Sequence, residues 1–459
     1  MEVRDIGSRL EVFFDQWLIE KMEKLNFKLH NPQPEEVVLE YNKPWEGSAS
    51  AVETVFKDGE IFRMYYRGLD FDIKTESSTH ELTCYAESVD GINWTKPELN
   101  LYQFNGSKKN NIIWQGVGTH NFTPFIDTNP SVKPEERYKA VGSGMLKNKP
   151  VLFAFVSKDG INWKQWKEEP IITKGAFDSQ NLAFYDNLRK KYFEYHRGWT
   201  EGLYKGIRAI MVCTSSDFEN WTDPEFIDFE DSPLEHLYTN GVMPYYRAPH
   251  IFIGFPTRFV PERKKGDHPY GGVSDVVFMV SRDGKLWKRY NEAFIRPGLQ
   301  PERWINRNNA LAWGMIETSS KLNPNQKEIS LYSIEAYYIP GTRLRRFTIR
   351  LDGFVSVNAK GDTGYFVTHP IVFDGDRLIV NYSTSAAGLV KIEVMDMEGK
   401  LIEPYTAELY GDSTEQVVEW KTGQDLSKIK GKPVRLKFTM KDADLYSIRF
   451  KDTSKNETC

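Results

Sequence analysis

Ser88-Val89-Asp90-Gly91-Ile92-Asn93-Trp94 comes back as Ser157-Lys158-Asp159-Gly160-Ile161-Asn162-Trp163, as Ser215-Ser216-Asp217-Phe218-Glu219-Asn220-Trp221 and as Ser281-Arg282-Asp283-Gly284-Lys285-Leu286-Trp287. Arg350-Leu351-Asp352-Gly353-Phe354 reads as a degenerate fifth copy. The aspartates stand at 90, 159, 217, 283 and 352, in steps of 69, 58, 66 and 69 residues. A self-similar unit of this length, built of strands and turns, is the signature of a β-propeller. Each Asp-Gly corner is expected to cap a turn between the third and fourth strands of a blade, with its Trp packed between blades. The repeat then carries fold and no chemistry.

Around each corner the chain alternates apolar and polar residues with period two, as Phe62, Met64 and Tyr66 do against Arg63 and Tyr65. The first blade reads as strands 50–56, 61–66, 82–88 and 94–101. The second reads as 122–126, 137–142, 151–157 and 163–172, and the third as 180–185, 192–195, 209–214 and 221–227. The fourth reads as 241–246, 251–256, 276–281 and 287–295, and the fifth as 310–317, 329–337, 344–350 and 354–357. The expectation is an all-β chain: a lead-in strand and loop over 1–40, a five-bladed β-propeller over 41–360 and a C-terminal β-sandwich over 361–459. The last part rests on alternating runs such as Leu378-Ile379-Val380-Asn381-Tyr382.

With 459 residues the chain can bury a large core, and 14% aromatic residues suit both strands and sugar binding. A net charge of −4 argues against a nucleic-acid or anionic-membrane partner. Cys84 and Cys213 sit in apolar strand patterns and read as core thiols rather than a bridge; Cys459 ends a polar tail. No stretch approaches the roughly 18 apolar residues of a membrane span. The start, MEVRDIGSRL, has no apolar signal region, so the expected location is cytoplasmic, or periplasmic or secreted if a signal peptide has been removed.

A five-bladed propeller followed by a sandwich resembles the glycoside hydrolase group of families 32, 43, 68 and 117, chiefly family 32. Lys441-Asp442-Ala443-Asp444-Leu445-Tyr446-Ser447-Ile448-Arg449-Phe450 looks like the close of a family 32 sandwich. Lys43-Pro44-Trp45-Glu46-Gly47, His120-Asn121-Phe122-Thr123-Pro124-Phe125, Phe177-Asp178-Ser179-Gln180-Asn181 and Arg345-Arg346-Phe347 resemble uncharacterised bacterial family-32-like proteins over nearly the whole chain. The Asn-Asp-Pro-Asn-Gly motif of family 32 is replaced by Gly47-Ser48-Ala49-Ser50, and its Arg-Asp-Pro and Glu-Cys motifs are missing. The resemblance therefore implies fold and a glycan substrate, and leaves the mechanism to be read from the residues.

In such propellers the inner strands begin at the channel mouth, the second strands end there and the third begin there. The five inner starts are Glu46–Ser50, His120-Asn121, Asp178-Ser179-Gln180-Asn181, Thr239-Asn240 and Arg307-Asn308-Asn309. Second strands bring Arg67 with Asp70, Gly142–Gly144, Arg197 and Arg258, and third strands His80, Arg208 and Asp275. Glycoside hydrolysis commonly needs one protonated and one ionised carboxyl group. Asp178 and Glu46 are the expected pair, with Glu235, Glu302, Asp70 and Asp275 in reserve. Asp127 and Asp186 read as turn residues, Glu53 as a mid-strand residue and His250 as structural. His120 is the expected additional acid or base; the resemblance to family 117, where a histidine has an acid role, points the same way. Asn121, Gln180, Asn181 and Asn240 are expected to bind hydroxyls. Arg67, Arg197, Arg258 and Arg307 converge from four blades and suggest a uronate or sulfate group on the sugar. Eight scattered histidines give no zinc spacing, so no metal or cofactor is expected, a channel calcium or sodium ion being allowed by the resemblance alone.

Three functions fit these residues. The leading one is an exo-acting hydrolase of an acidic or anhydro-sugar oligosaccharide. A uronate lyase or dehydratase would use the same pocket, and a carbohydrate-binding propeller would have lost catalysis.

Overall fold

The computed structural model describes residues 2–421 and 423–452; Cys459 lies outside the described residues. Among them the only helices are two short 3-10 turns, Pro134–Glu136 and Pro301–Trp304. The chain forms two compact units. One is Pro32–Tyr245 with Pro249–Ile349; the other holds the chain before Pro32 and from Arg350 on, with Tyr246–Ala248. The divisions fall at 31/32 and 349/350 rather than at 40/41 and 360/361.

The first unit is a five-bladed β-propeller. Blade one pairs Ala51–Asp58, Ile61–Gly68, Leu82–Ser88 and Ile112–Trp114. Its fourth strand is not 94–101: Trp94 ends the corner, Thr95 makes a single bridge to Glu87, and the ladder resumes only at Ile112. Blade two pairs His120–Ile126, Tyr138–Leu146, Lys149–Ser157 and Trp163–Gln165, and blade three Leu182–Asp186, Lys191–Trp199, Arg208–Ser215 and Glu225–Phe226. Blade four divides its second strand into Ala248–Gly254 and Thr257–Val260, separated by Phe255 and Pro256, where proline has no N–H for the ladder. Blade five pairs Ile316–Ser319, Lys327–Glu335 and Arg343–Arg350 with Gln33–Glu40. Its outer strand thus comes from the segment read as a lead-in, and not from 354–357. Phe347 lies opposite Pro34 and Leu344 opposite Leu39, so the ring is closed by chain from before its first blade.

The repeated corners show why the motif recurs. In the first, Asp90 Oδ1 accepts the N–H groups of Ile92 and Asn93 at 2.8 Å each, and Ser88 Oγ accepts that of Gly91 at 2.9 Å. Gly91 has φ +72°, a conformation costly for residues with a Cβ. The corner carbonyls also join neighbouring blades: Tyr332 donates to Gly91 O at 2.5 Å, Arg63 to Asp159 O at 2.9 Å and Tyr195 to Gly284 O at 2.8 Å. Between blades one and two, Tyr65 packs edge-on to Trp163 at 6.4 Å. The fifth copy is not a corner. Asp352 belongs to the second unit, where it accepts from Arg247 Nε and Ser447 Oγ at 2.8 Å each.

The second unit holds a two-stranded parallel sheet of Arg4–Gly7 with Ile371–Phe373 and a nine-stranded sheet in which two long strands, Arg377–Met395 and Arg435–Lys451, pair along most of their length. Their register breaks between Thr384 and Leu389. The sheet encloses an apolar core that includes Phe13, Phe366, Leu378, Ile392, Phe438 and Ile448.

Candidate active site

All five blades contribute to one cavity of about 310 Å³. Blade one supplies Glu53, Arg67 and Glu81, blade two His120 and Asn121, and blade three Asp178, Ser179 and Gln180. Tyr238, Thr239 and Thr257 come from blade four and Arg307, Tyr337 and Tyr338 from blade five. The wall is made where the backbone leaves regular strand geometry. Val52 (φ +64°), Asn121 (+57°), Arg307 (+62°) and Tyr338 (+69°) are all left-handed. Such residues cost about 1–3 kcal/mol each and persist only where surrounding structure holds them.

At Val52 the irregularity is a bulge. Ala51 pairs with Arg67, but the next partners are Thr54 and Tyr65, so three steps on the inner strand face two on its neighbour. A bulge re-aims side chains, and Glu53 becomes part of the cavity wall. The bulge is braced from blade five: Trp313 N donates to Glu53 O and Val55 N to Trp313 O, both at 2.8 Å, while Trp313 Nε1 donates to Val242 O in blade four. Gly314 permits this approach, since a Cβ there would lie 1.8 Å from Val55 O.

Glu53 is 2% exposed and accepts a short hydrogen bond from the Tyr41 hydroxyl. Burial pushes its pKa up to about 7, against the opposing pull of the Tyr41 bond and the Arg67 charge. Asp178 is more open, with a side chain 41% exposed, and is ion-paired with the buried guanidinium of Arg197. Glu81 accepts from His120 Nδ1 at 2.8 Å and lies 3.7 Å from Arg67. Burial disfavours its charge, but the His120 bond and the Arg67 charge outweigh that and hold its pKa below the usual value. With Nδ1 engaged, His120 keeps Nε2 for another partner.

Cationic groups cluster on the blade-four side. The Tyr238 ring has the guanidinium carbons of Arg197, Arg307 and Arg208 at 4.6, 5.2 and 5.5 Å from its centroid. Burial raises the pKa of the Tyr238 phenol, yet Arg307, Arg197 and Arg208 together bring it below its ordinary value. Arg307 bonds the Tyr338 hydroxyl at 2.7 Å and has no carboxylate partner among the described residues. Arg67 bonds Asn121 Oδ1, Ala49 O and the Tyr337 hydroxyl. Three buried polar atoms of the wall lack a protein partner: Arg67 Nε, Asn121 Nδ2 and Ser179 Oγ.

Of the residues singled out from sequence, Asp178, His120, Asn121, Gln180, Arg67 and Arg307 line the cavity, and Arg197 stands behind Asp178. The expected partner of Asp178, Glu46, does not. Its carboxylate is buried and held by Lys96 Nζ at 2.7 Å, Tyr66 Oη at 2.6 Å and Lys43 N at 2.9 Å. Arg258 is also spent, forked onto Asp275 at 2.9 and 2.6 Å. Asn181 donates to Phe177 O and Asn240 to Tyr195 O, both in the wall's support rather than its lining. The reserve acids are paired as well: Glu235 with Arg289, Glu302 with Arg343, and Asp70 with Ser48.

Sequence reasoning misses Glu81 and the tyrosines 238, 337 and 338. Glu81 is the neighbour of His80, and Tyr337 follows the blade-five second strand, so the strand-end rule reaches both when extended by one residue and one blade. Glu53 depends on a bulge that period-two alternation hides. The cavity carboxyls are engaged by Tyr41, Arg197, or His120 with Arg67, so this donor set does not suit the oxygen cage of a hard channel cation.

No family model and no curated protein matches the chain. Solved structures do. It is similar to a glycoside hydrolase family 43 arabinoxylan arabinofuranohydrolase from Bacillus subtilis in complex with cellotetraose, at 12% identity over 92% of this chain and 99% of that one, with a TM-score of 0.44. It is similar to a family 32 β-fructofuranosidase of Bombyx mori at 9% identity, over 94% and 96% of the two chains, with a TM-score of 0.41. An N-acetylgalactosamine deacetylase from F. plautii in complex with blood group B trisaccharide matches 71% of this chain and 95% of its own at 12% identity, with a TM-score of 0.45. The solved structures it resembles thus include glycoside hydrolases and a sugar deacetylase.

Proposed function

We propose that the protein is a glycan-active hydrolase that removes terminal units from an acidic oligosaccharide, with Glu53 as proton donor and Asp178 as the ionised carboxylate. The observation that carries this reading is the presence, in one cavity wall, of a buried carboxyl raised to about 7 and a second carboxyl ion-paired with a guanidinium. Two carboxyls with environments that hold them in different protonation states match the needs of glycosidic cleavage. Glu53 protonates the departing oxygen, and Asp178 either activates water or attacks the anomeric carbon. Gln180, whose amide donates to Glu53 O at 3.1 Å, keeps the bulge in register with blade three. The unpartnered donors of Arg67, Asn121 and Ser179 bind sugar oxygens, and Arg307 receives the anionic group. One cavity of about 310 Å³ lined by all five blades favours chain ends over chain interiors.

One observation supports a second reading. The Glu81–His120 pair beside Arg67 has the form of a base next to a carboxylate-neutralising cation, which suits elimination from a uronate. Mass spectrometry separates the two after incubation of wild type, Glu53→Gln and Asp178→Asn with neutral, uronate-bearing and sulfated oligosaccharides. Hydrolysis adds a water across the broken bond and is lost in both variants. Elimination leaves an unsaturated product one water lighter and survives Glu53→Gln. Binding without any product would replace both readings with a carbohydrate-binding propeller.

A further inference from the structure

Apart from the cavity, blade three encloses a second chemical group. Glu194 and His196 lie two residues apart on the strand Lys191–Trp199 and so share a face. Cys213 is the register partner of Glu194 on the adjacent strand Arg208–Ser215. Glu194 and His196 are 0% exposed and Cys213 2% exposed. His196 Nδ1 is 2.6 Å from Glu194 Oε2, Cys213 Sγ is 3.4 Å from the same oxygen, and a ligand atom from each residue lies within 4.8 Å of the others. The imidazole is fixed by the Phe177 ring at 4.9 Å and by Gly175, where a Cβ would come within 2.5 Å of Nε2. Glu194 Oε1 and His196 Nε2 are buried without a partner. An unsatisfied buried polar atom costs about 1–3 kcal/mol, so this is an expensive arrangement for a blade interior.

We propose that Glu194, His196 and Cys213 form a buried binding site for one borderline divalent transition ion of the zinc type. Thiolate, imidazole and carboxylate are the ligand set such an ion accepts. The charges close. A divalent ion with one thiolate, one carboxylate and a neutral imidazole is net neutral, as a fully buried site requires. Ligation requires Cys213 to give up its thiol proton, so metal binding is coupled to proton release. Ligand atoms about 2.0–2.3 Å from a common tetrahedral ion lie roughly 3.3–3.8 Å apart, so small side-chain shifts suffice. The next residue after His196 is Arg197, which holds Asp178, so the ion would also anchor the strand end behind the cavity.

All three ligand residues are buried, so the ion enters as the blade folds. The test is to refold the full chain with Zn²⁺ or Co²⁺, remove free metal by gel filtration, and measure bound metal and the absorption spectrum. The expected result is about one ion per chain, a near-ultraviolet thiolate-to-cobalt band, and a Tm that falls when the protein is refolded with EDTA instead. Cys213→Ser should abolish the cobalt–thiolate band, and His196→Gln should lower retained metal. If folded wild type retains neither metal and its Tm is the same with and without EDTA, the site is a hydrogen-bonded cluster and the proposal is overturned. The wild-type measurement decides even if a variant fails to fold.

Discussion

Glu46 and Glu53 stand seven residues apart in blade one, both almost wholly buried, at 3% and 2% exposure. Glu46 is surrounded by donors that suit its charge: an ammonium, a phenol and a backbone N–H. Glu53 has the Tyr41 phenol and its own backbone N–H close by, with the Arg67 charge acting from further away. One buried carboxyl is part of the scaffold, and the other retains its proton to near neutrality. Burial alone does not distinguish structure from chemistry; the counter-charge beside it does.

The sharpest way to break this contrast is to exchange each acid for its amide. Glu53→Gln should lower product formation about 10²–10⁴-fold, the usual contribution of a positioned general acid. The same change should stabilise the protein in alkaline solution. Because the folded state binds the proton more tightly than the unfolded chain, Glu53 costs stability as pH rises from about 4.5 to about 7. Removing its charge should recover up to about 3 kcal/mol above that window, read from denaturant midpoints at pH 8 and pH 5. Glu46→Gln should do the opposite, leaving Lys96 buried without its carboxylate and costing about 3–5 kcal/mol in the same assay. Its activity per folded molecule should be unchanged.

The bulge itself can be attacked from across the channel. Gly314→Ala, with its new methyl group against Val55 O, should cost about 1–3 kcal/mol and reduce activity in the fraction that folds. The smallest effect belongs to the corners. Asp90 has a pKa of about 2: burial works against its charge, but the Asn93 and Ile92 N–H groups and the Ser88 hydroxyl outweigh it. Its contribution is therefore present above the unfolded carboxyl range and lost as pH falls through about 2, the reverse of Glu53. Asp90→Ala should cost about 1 kcal/mol at neutral pH, seen as a lower Tm, and much less in acid.

These residues also mark which features the sequence makes legible. The corners were legible because Asp, Gly and Trp act locally, within a few residues of one another. The inner-strand starts were legible because a propeller sends them to one mouth, and His120, Asn121, Asp178 and Gln180 do line the cavity. Asp352 copied the motif without its neighbours and serves the other unit. Gln33–Glu40 gave no sign that it closes blade five, since pairing across some 300 residues leaves no local pattern. Glu53 was hidden for a different reason. Its position depends on one extra residue in a strand, held in place by Trp313 and Gly314 from another blade.

The most direct test of the account is the ionisation of Glu53 itself, followed by carbon NMR of side-chain-labelled glutamate and assigned by the signal missing in Glu53→Gln. A carboxyl midpoint near 7 is the predicted result. A midpoint at the ordinary glutamate value of about 4.3 would contradict it, leaving Glu53 ionised at neutral pH and the cavity without its proton donor.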